Sequence, residues 1–210
     1  NALIAMVNSI TGEVTGVAVG TATITYSYTN SNGCASSVTK LLTVHPALLP
    51  IISGISTVCA GTSTTLSAST VTGTNPLSYS WSTGATTAGI TVTPTSTTSY
   101  SVSITDANGC TASSAVTSVT VNQLPVVDAG SDATICNGGS TILIATGAVS
   151  YSWNNGSGVV STSPVLTVSP TTTTTYTVTG TTNNCSNSDV VVVNVNALPT
   201  LAPIAGVMNA

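Results

Sequence analysis

The chain has 210 residues, among them 42 Thr and 30 Ser but only one lysine, no arginine and no phenylalanine, and its formal net charge is -4. Branched residues in this number crowd a helical turn but sit well on a pleated strand, so long helices are not expected. Phosphate recognition needs concentrated Lys and Arg, so neither nucleic acid nor an anionic membrane surface is an expected partner.

Apolar residues make up 41% of the chain and recur in alternation, which separates it from disordered sequences. No run of 18 or more apolar residues suggests a membrane span, and no basic segment followed by an apolar run opens the chain. The residues are therefore expected to come from the interior of a larger secreted protein, or from a mature form.

Self-comparison organises the rest. Leu49-Pro50 returns as Leu124-Pro125 and Leu198-Pro199, steps of 75 and 74 residues. Trp81 returns as Trp153 and Tyr100 as Tyr176. Cys34, Cys110 and Cys185 recur in Asn-Gly-Cys, Asn-Gly-Cys and Asn-Asn-Cys, while Cys59 and Cys136 recur in Val-Cys-Ala-Gly and Ile-Cys-Asn-Gly.

Residues 1–46 match only the last part of a module: a Gly-rich stretch (Gly12, Gly16, Gly20), a strand holding Ile24, Tyr26 and Tyr28, the turn before Cys34, and a final strand. Residues 51–122 and 126–196 are complete modules. Residues 200–210 read as a linker or the start of a further module, since Ile204-Ala205-Gly206-Val207 resembles Ile52-Ser53-Gly54-Ile55. Both ends fall in mid-module, so the chain is expected to be a window onto a longer array. The missing half of the first module would come from upstream chain, or from strands of an adjacent subunit.

Within the 51–122 module, strands are expected at Thr64–Ser69, Tyr79–Trp81, Ile90–Val92, Tyr100–Ile104 and around Val119 and Val121. The 126–196 module repeats them at Thr141–Ala145, Tyr151–Trp153, Val165–Val168, from Tyr176, and around Val191, Val193 and Val195. Alternation puts Tyr100, Val102 and Ile104 on one face, and Tyr176 with Val178 on another, with hydroxyl side chains toward solvent. Polar turns before the late cysteines mark hairpins. Six or seven such strands per module describe an all-β, immunoglobulin-like sandwich. Trp81, Trp153, Tyr100 and Tyr176 are expected in its core; a carbohydrate-stacking platform would need the tryptophans exposed.

Each complete module holds one early and one late cysteine, so regular spacing predicts bridges Cys59–Cys110 and Cys136–Cys185. Cys34 is a late cysteine whose early partner would precede residue 1; a free surface thiol or an intermolecular bridge are its alternatives. Structural disulfides imply an oxidising, extracellular location.

These landmarks, Leu-Pro followed by Val-Cys-Ala-Gly or Ile-Cys-Asn-Gly, Tyr-Ser-Trp, Thr-Thr-Ser-Tyr or Thr-Thr-Thr-Tyr, and Asn-Gly-Cys, resemble the immunoglobulin-like and polycystic-kidney-disease-like modules of giant Bacteroidota surface proteins, including gliding-motility adhesins. The stretch from Gly12 to Tyr26 is similar to the end of a bacterial immunoglobulin-like domain of group 2 type. The resemblance implies export by the outer-membrane (type IX) route of those bacteria and contact with its secretion machinery. It does not imply a ligand, because such modules serve as generic spacers.

Raw material for catalysis is scarce. His45 is the sole histidine and reads as a linker residue; the hydroxyls of the complete modules have no histidine base, and the cysteines lack a zinc-ligand pattern. Asp128 and Asp132, or Asp106 with Asn108, could offer oxygen ligands to calcium, but solvated turn acids are the simpler reading. The chain is thus expected to be no enzyme, to hold no cofactor or metal, and to act as a structural spacer of a cell-surface adhesin or filament. Its partners would be neighbouring modules of the same chain, with lateral or end-to-end self-association. A glycan- or protein-binding module, gripping through turns such as Asn154–Gly158, and an accessory region of a secreted enzyme are the alternatives.

Overall fold

The computed structural model describes residues 3–201, apart from the side chains of Ser114 and Ala115, and every regular element in that range is a β-strand. The proposed lead-in around Ile204 lies outside the described residues. In chain order the first strands are β1 (Ala5–Val7), β2 (Val14–Gly16), β3 (Gly20–Thr29) and β4 (Ala35–Val44). Residues 50–122 supply β5 (Pro50–Gly54), β6 (Thr57–Cys59), β7 (Thr64–Thr70), β8 (Ser78–Trp81), β9 (Gly89–Val92), β10 (Thr98–Thr105) and β11 (Thr111–Asn122). Residues 126–196 supply β12 (Ala133–Cys136), β13 (Thr141–Ile144), β14 (Ser150–Asn154), β15 (Val159–Ser161), β16 (Val165–Val168), β17 (Thr174–Thr182) and β18 (Cys185–Asn196).

The strands gather into two compact units that do not follow the sequence repeats. One holds the chain up to Ser56 with Ser63–Thr93 and Thr97–Thr120; the other holds Thr57–Thr62, Pro94–Ser96 and the chain from Val121 onward. Cys59 therefore belongs to the same unit as Cys185.

In the first complete repeat a three-stranded sheet, β5-β7-β9, accompanies a four-stranded sheet, β6-β11-β10-β8. The second has a two-stranded sheet, β13-β16, and a five-stranded sheet, β12-β18-β17-β14-β15. The middle order, last strand beside penultimate strand beside the tryptophan strand, is the same in both, and this is the topology of an immunoglobulin-like sandwich. The fold is all-β, with repeated sandwich modules.

Alternation explains which residues fill each core. Along β10, Tyr100, Val102 and Ile104 are buried while Ser101 and Ser103 are half-buried. Leu66, Ala68, Trp81, Ile90 and Val119 are also buried in that repeat. In the second unit one cluster contains Ile135, Leu143, Trp153, Val168, Tyr176, Val178, Val191 and Val193. Burying one indole removes about 150–250 Å² of surface, about 4–6 kcal/mol at 25 cal/mol per Å². Small modules with one tryptophan each depend heavily on it.

The β3/β4 hairpin differs. Its register runs unbroken from Gly20 opposite Val44 to Thr29 opposite Ala35. Counting back from the late cysteines, Ile24, Tyr26 and Tyr28 stand where Tyr100, Val102 and Ile104 stand before Cys110. Tyr26 is 68% and Tyr28 60% exposed, against 1% and 0% for Val102 and Ile104. The hairpin thus has the core-facing pattern of a last strand pair, and among the described residues no second sheet covers its outer half.

The turns before the late cysteines follow from their residues. The Asn30 side-chain oxygen accepts the N–H groups of Asn32 (3.0 Å) and Cys34 (2.9 Å). Asp106 does the same for Asn108 and Cys110, both at 2.9 Å. Between β17 and β18 the link shortens to Asn183 and Asn184, with φ of 49° and 62°. A two-residue hairpin needs that left-handed pair, and asparagine is the residue besides glycine that adopts it most readily.

Candidate functional site: the cysteine junction

The predicted bridges within each repeat do not form. Cys59 is bonded to Cys185, with their Cα atoms 5.6 Å apart, and Cys34, Cys110 and Cys136 are free thiols. Strand register gives the reason. β12 pairs with β18 in parallel, placing Cys136 opposite Asn196, the last residue of β18, while Cys185 is its first. Eleven steps at about 3.3 Å put the two cysteines of that repeat about 36 Å apart along the strand. A bridge requires Cα atoms within about 7 Å.

The other complete repeat is built alike. The Ala60 N–H donates to the Asn122 carbonyl at 2.9 Å, so Cys59 lies beside the end of β11, whereas Cys110 precedes its first residue. The early cysteine thus sits at the end from which the chain leaves for the next repeat. There it meets that repeat's late cysteine.

The bridge lies in a small polar setting. The Asn122 side-chain amide donates to the Asn183 carbonyl at 3.2 Å. The Cys59 sulfur is 3.7 Å from the Asn184 carbonyl oxygen, and the Cys185 sulfur 3.8 Å from that of Asn122. The connecting Leu124-Pro125 is not slack, because Pro125 is buried and its carbonyl accepts the Asn187 amide at 3.1 Å. Sequence spacing revealed which cysteines recur; only strand register reveals which end of the sheet each occupies.

The aromatic residues lie inside. Trp81 is 3%, Trp153 0%, Tyr100 7% and Tyr176 5% exposed. Each indole N–H has an acceptor, the Thr87 carbonyl at 2.8 Å for Trp81 and the Ser163 carbonyl at 3.1 Å for Trp153. Neither tryptophan is available as a sugar-stacking platform. Burial pushes the Tyr176 phenol above its ordinary pKa.

The carboxylates serve the backbone. Asp128 accepts the Gly130 N–H, Asp132 the Val192 N–H and Asp189 the Ala129 N–H, each at 2.8 Å. Burial alone would raise the Asp106 pKa, but donation by the N–H groups of Thr74, Cys110 and Asn108 and by the Asn108 amide brings it below the ordinary carboxylate value. The Ala129 and Val190 N–H groups lower Asp189 against the same opposing effect. Among the described residues no three of His, Cys, Asp and Glu gather as a metal site. His45 is exposed between β4 and β5. Among the described residues these carboxylates and His45 form no catalytic constellation.

No protein-family model matches the chain, and no curated protein matches it. Among solved structures it is similar to an E-to-A variant of titin domains I67–I69, with TM-score 0.44 and 14% identity over 92% of this chain and 83% of that one. It is also similar to the N-terminal eight Ig domains of Down Syndrome Cell Adhesion Molecule, with TM-score 0.43 and 15% identity over 91% of this chain and 31% of that one. For extracellular domains 3–5 of Drosophila OTK the TM-score is 0.40 and the identity 10%, over 93% and 79%. The immunoglobulin-like topology rests on the strand order itself.

Proposed function

We propose that this segment is a structural spacer of a large extracellular surface protein, an adhesin or filament of the kind built from such modules in Bacteroidota, including gliding-motility adhesins. Ligand binding lies elsewhere in that protein, and export follows the outer-membrane secretion route. The observation that carries this reading is the Cys59–Cys185 bridge, which joins two successive repeats. A covalent link across a junction resists extension of the linker, and it persists in an oxidising location outside the cell. Inward-facing tryptophans and a surface of hydroxyls and amides, with few charges, are what an inert rod needs.

The test is an in-register deletion of residues 126–199 from the parent protein displayed on its cell. A spacer predicts shorter reach with ligand binding retained. Loss of binding with the remaining repeats folded would contradict it and would favour a binding module working through turns such as Asn154–Gly158.

A further inference from the structure

The free thiol of Cys136 stands at a half-junction whose other copy is already bonded. At the first, the Thr62 N–H donates to the Cys59 carbonyl at 2.9 Å and the Ala60 N–H to the Asn122 carbonyl at 2.9 Å. At the second, the Gly139 N–H donates to the Cys136 carbonyl at 2.8 Å and the Asn137 N–H to the Asn196 carbonyl at 2.9 Å. Asn122 and Asn196 each end the last strand of their repeat, and each is followed, one residue later, by Leu-Pro. Cys136 is exposed, and the late cysteine of its own repeat, Cys185, is already engaged by Cys59.

We infer that the end bearing Cys136, Asn137 and Asn196 is a docking site for a further repeat of this kind in the same polypeptide, whose late cysteine forms a disulfide with Cys136. Bridging then follows one rule, early cysteine of each repeat to late cysteine of the next, and the array is stapled junction by junction. By the same rule Cys110, a free late-type cysteine, is open to the early cysteine of a preceding repeat. Each bridge forms as two thiols give one S–S bond, with two protons and two electrons passing to a disulfide oxidant such as a thiol–disulfide oxidoreductase, or oxidised glutathione in vitro. The inference stands on the repeat geometry and is independent of what the array carries.

The experiment extends the chain. After Pro199 a copy of residues 126–196 is placed, carrying Val190→Ile as a mass mark and Cys136→Ser, and the protein is folded in a glutathione buffer. Non-reducing peptide mapping is expected to find Cys136 joined to the marked late cysteine, with Cys59–Cys185 kept. The free-thiol count should fall from the three of the unextended chain by one. Cys136 free beside a folded appended repeat, folding being read from its buried tryptophan fluorescence, overturns the inference, as does Cys136 joined to Cys185. A second extension with a copy of residues 51–122 carrying Cys59→Ser and Val116→Ile asks the same of the Cys110 type of turn. It keeps the result decisive where the first copy does not fold.

Discussion

Cys136 faces Asn196 across the parallel pairing of β12 with β18, and Cys185 opens that same strand, so the two cysteines of one repeat occupy opposite ends of one sheet. The bridge observed among the described residues, Cys59–Cys185, accordingly crosses from one repeat to the next. The Cys59–Cys185 bond spans 126 residues of sequence, and loop entropy for that span is about 5 kcal/mol.

That bond makes a prediction about additivity. Cys59→Ser and Cys185→Ser should each lower stability by up to about 5 kcal/mol, and the double variant should lose no more than either single one. Urea denaturation of the three variants checks this. Additive losses would mean that each cysteine has a different partner.

The tryptophan cores predict a second outcome. Trp153→Ala should destabilise its unit by about 3–5 kcal/mol, while Val149→Ala, at an 81% exposed position, should change it by about 0.5 kcal/mol or less. Chemical denaturation followed by circular dichroism measures both. A mild Trp153→Ala would mean that the indole is not the centre of that core.

Two glycines with almost equal φ separate strain from collision. Gly147 has φ of 89° and Gly156 of 90°. A Cβ at Gly147 would run into the Val126 carbonyl, whereas one at Gly156 meets nothing within 4 Å. Gly156→Ala should cost about 1–2 kcal/mol from the left-handed backbone alone, and Gly147→Ala clearly more. Equal midpoints in urea would contradict the close approach at Gly147.

Acid should loosen the turns. Asp106 and Asp189 have folded pKa values below their unfolded ones, so their contribution is present above the ordinary carboxylate value of about 3.9 and is lost as pH falls through the folded values. Stability measured from pH 6 down to pH 2 should decline below about pH 4. Asp106→Asn should flatten that decline while keeping the turn, because Asn30 holds the equivalent turn with the same two contacts. An unchanged decline in Asp106→Asn would remove Asp106 from the acid response.

Much of the fold is legible in the sequence because period-two patterning sorts faces: Tyr100, Val102, Tyr176 and Val178 are all buried on the faces that alternation assigns them. Linkers were less legible. Leu49-Pro50 reads as punctuation, yet Pro50 opens β5 at a sheet edge, where a missing N–H is tolerated, and neighbouring Leu48 is only 5% exposed. Cysteine partnership was not legible, because spacing reports recurrence and not register. The short strands β6 and β12 run parallel to the end of the last strand, and no local pattern in Thr57–Cys59 or Ala133–Cys136 announces that pairing.

Non-reducing peptide mapping of the oxidised chain, with chymotryptic and Asp-directed cleavage because lysine and arginine are nearly absent, tests the account most directly. It should recover Cys59 joined to Cys185, with Cys34, Cys110 and Cys136 alkylated as free thiols. Recovery of Cys59 joined to Cys110 together with Cys136 joined to Cys185 would contradict the parallel register of the early strands and, with it, the stapling of successive repeats.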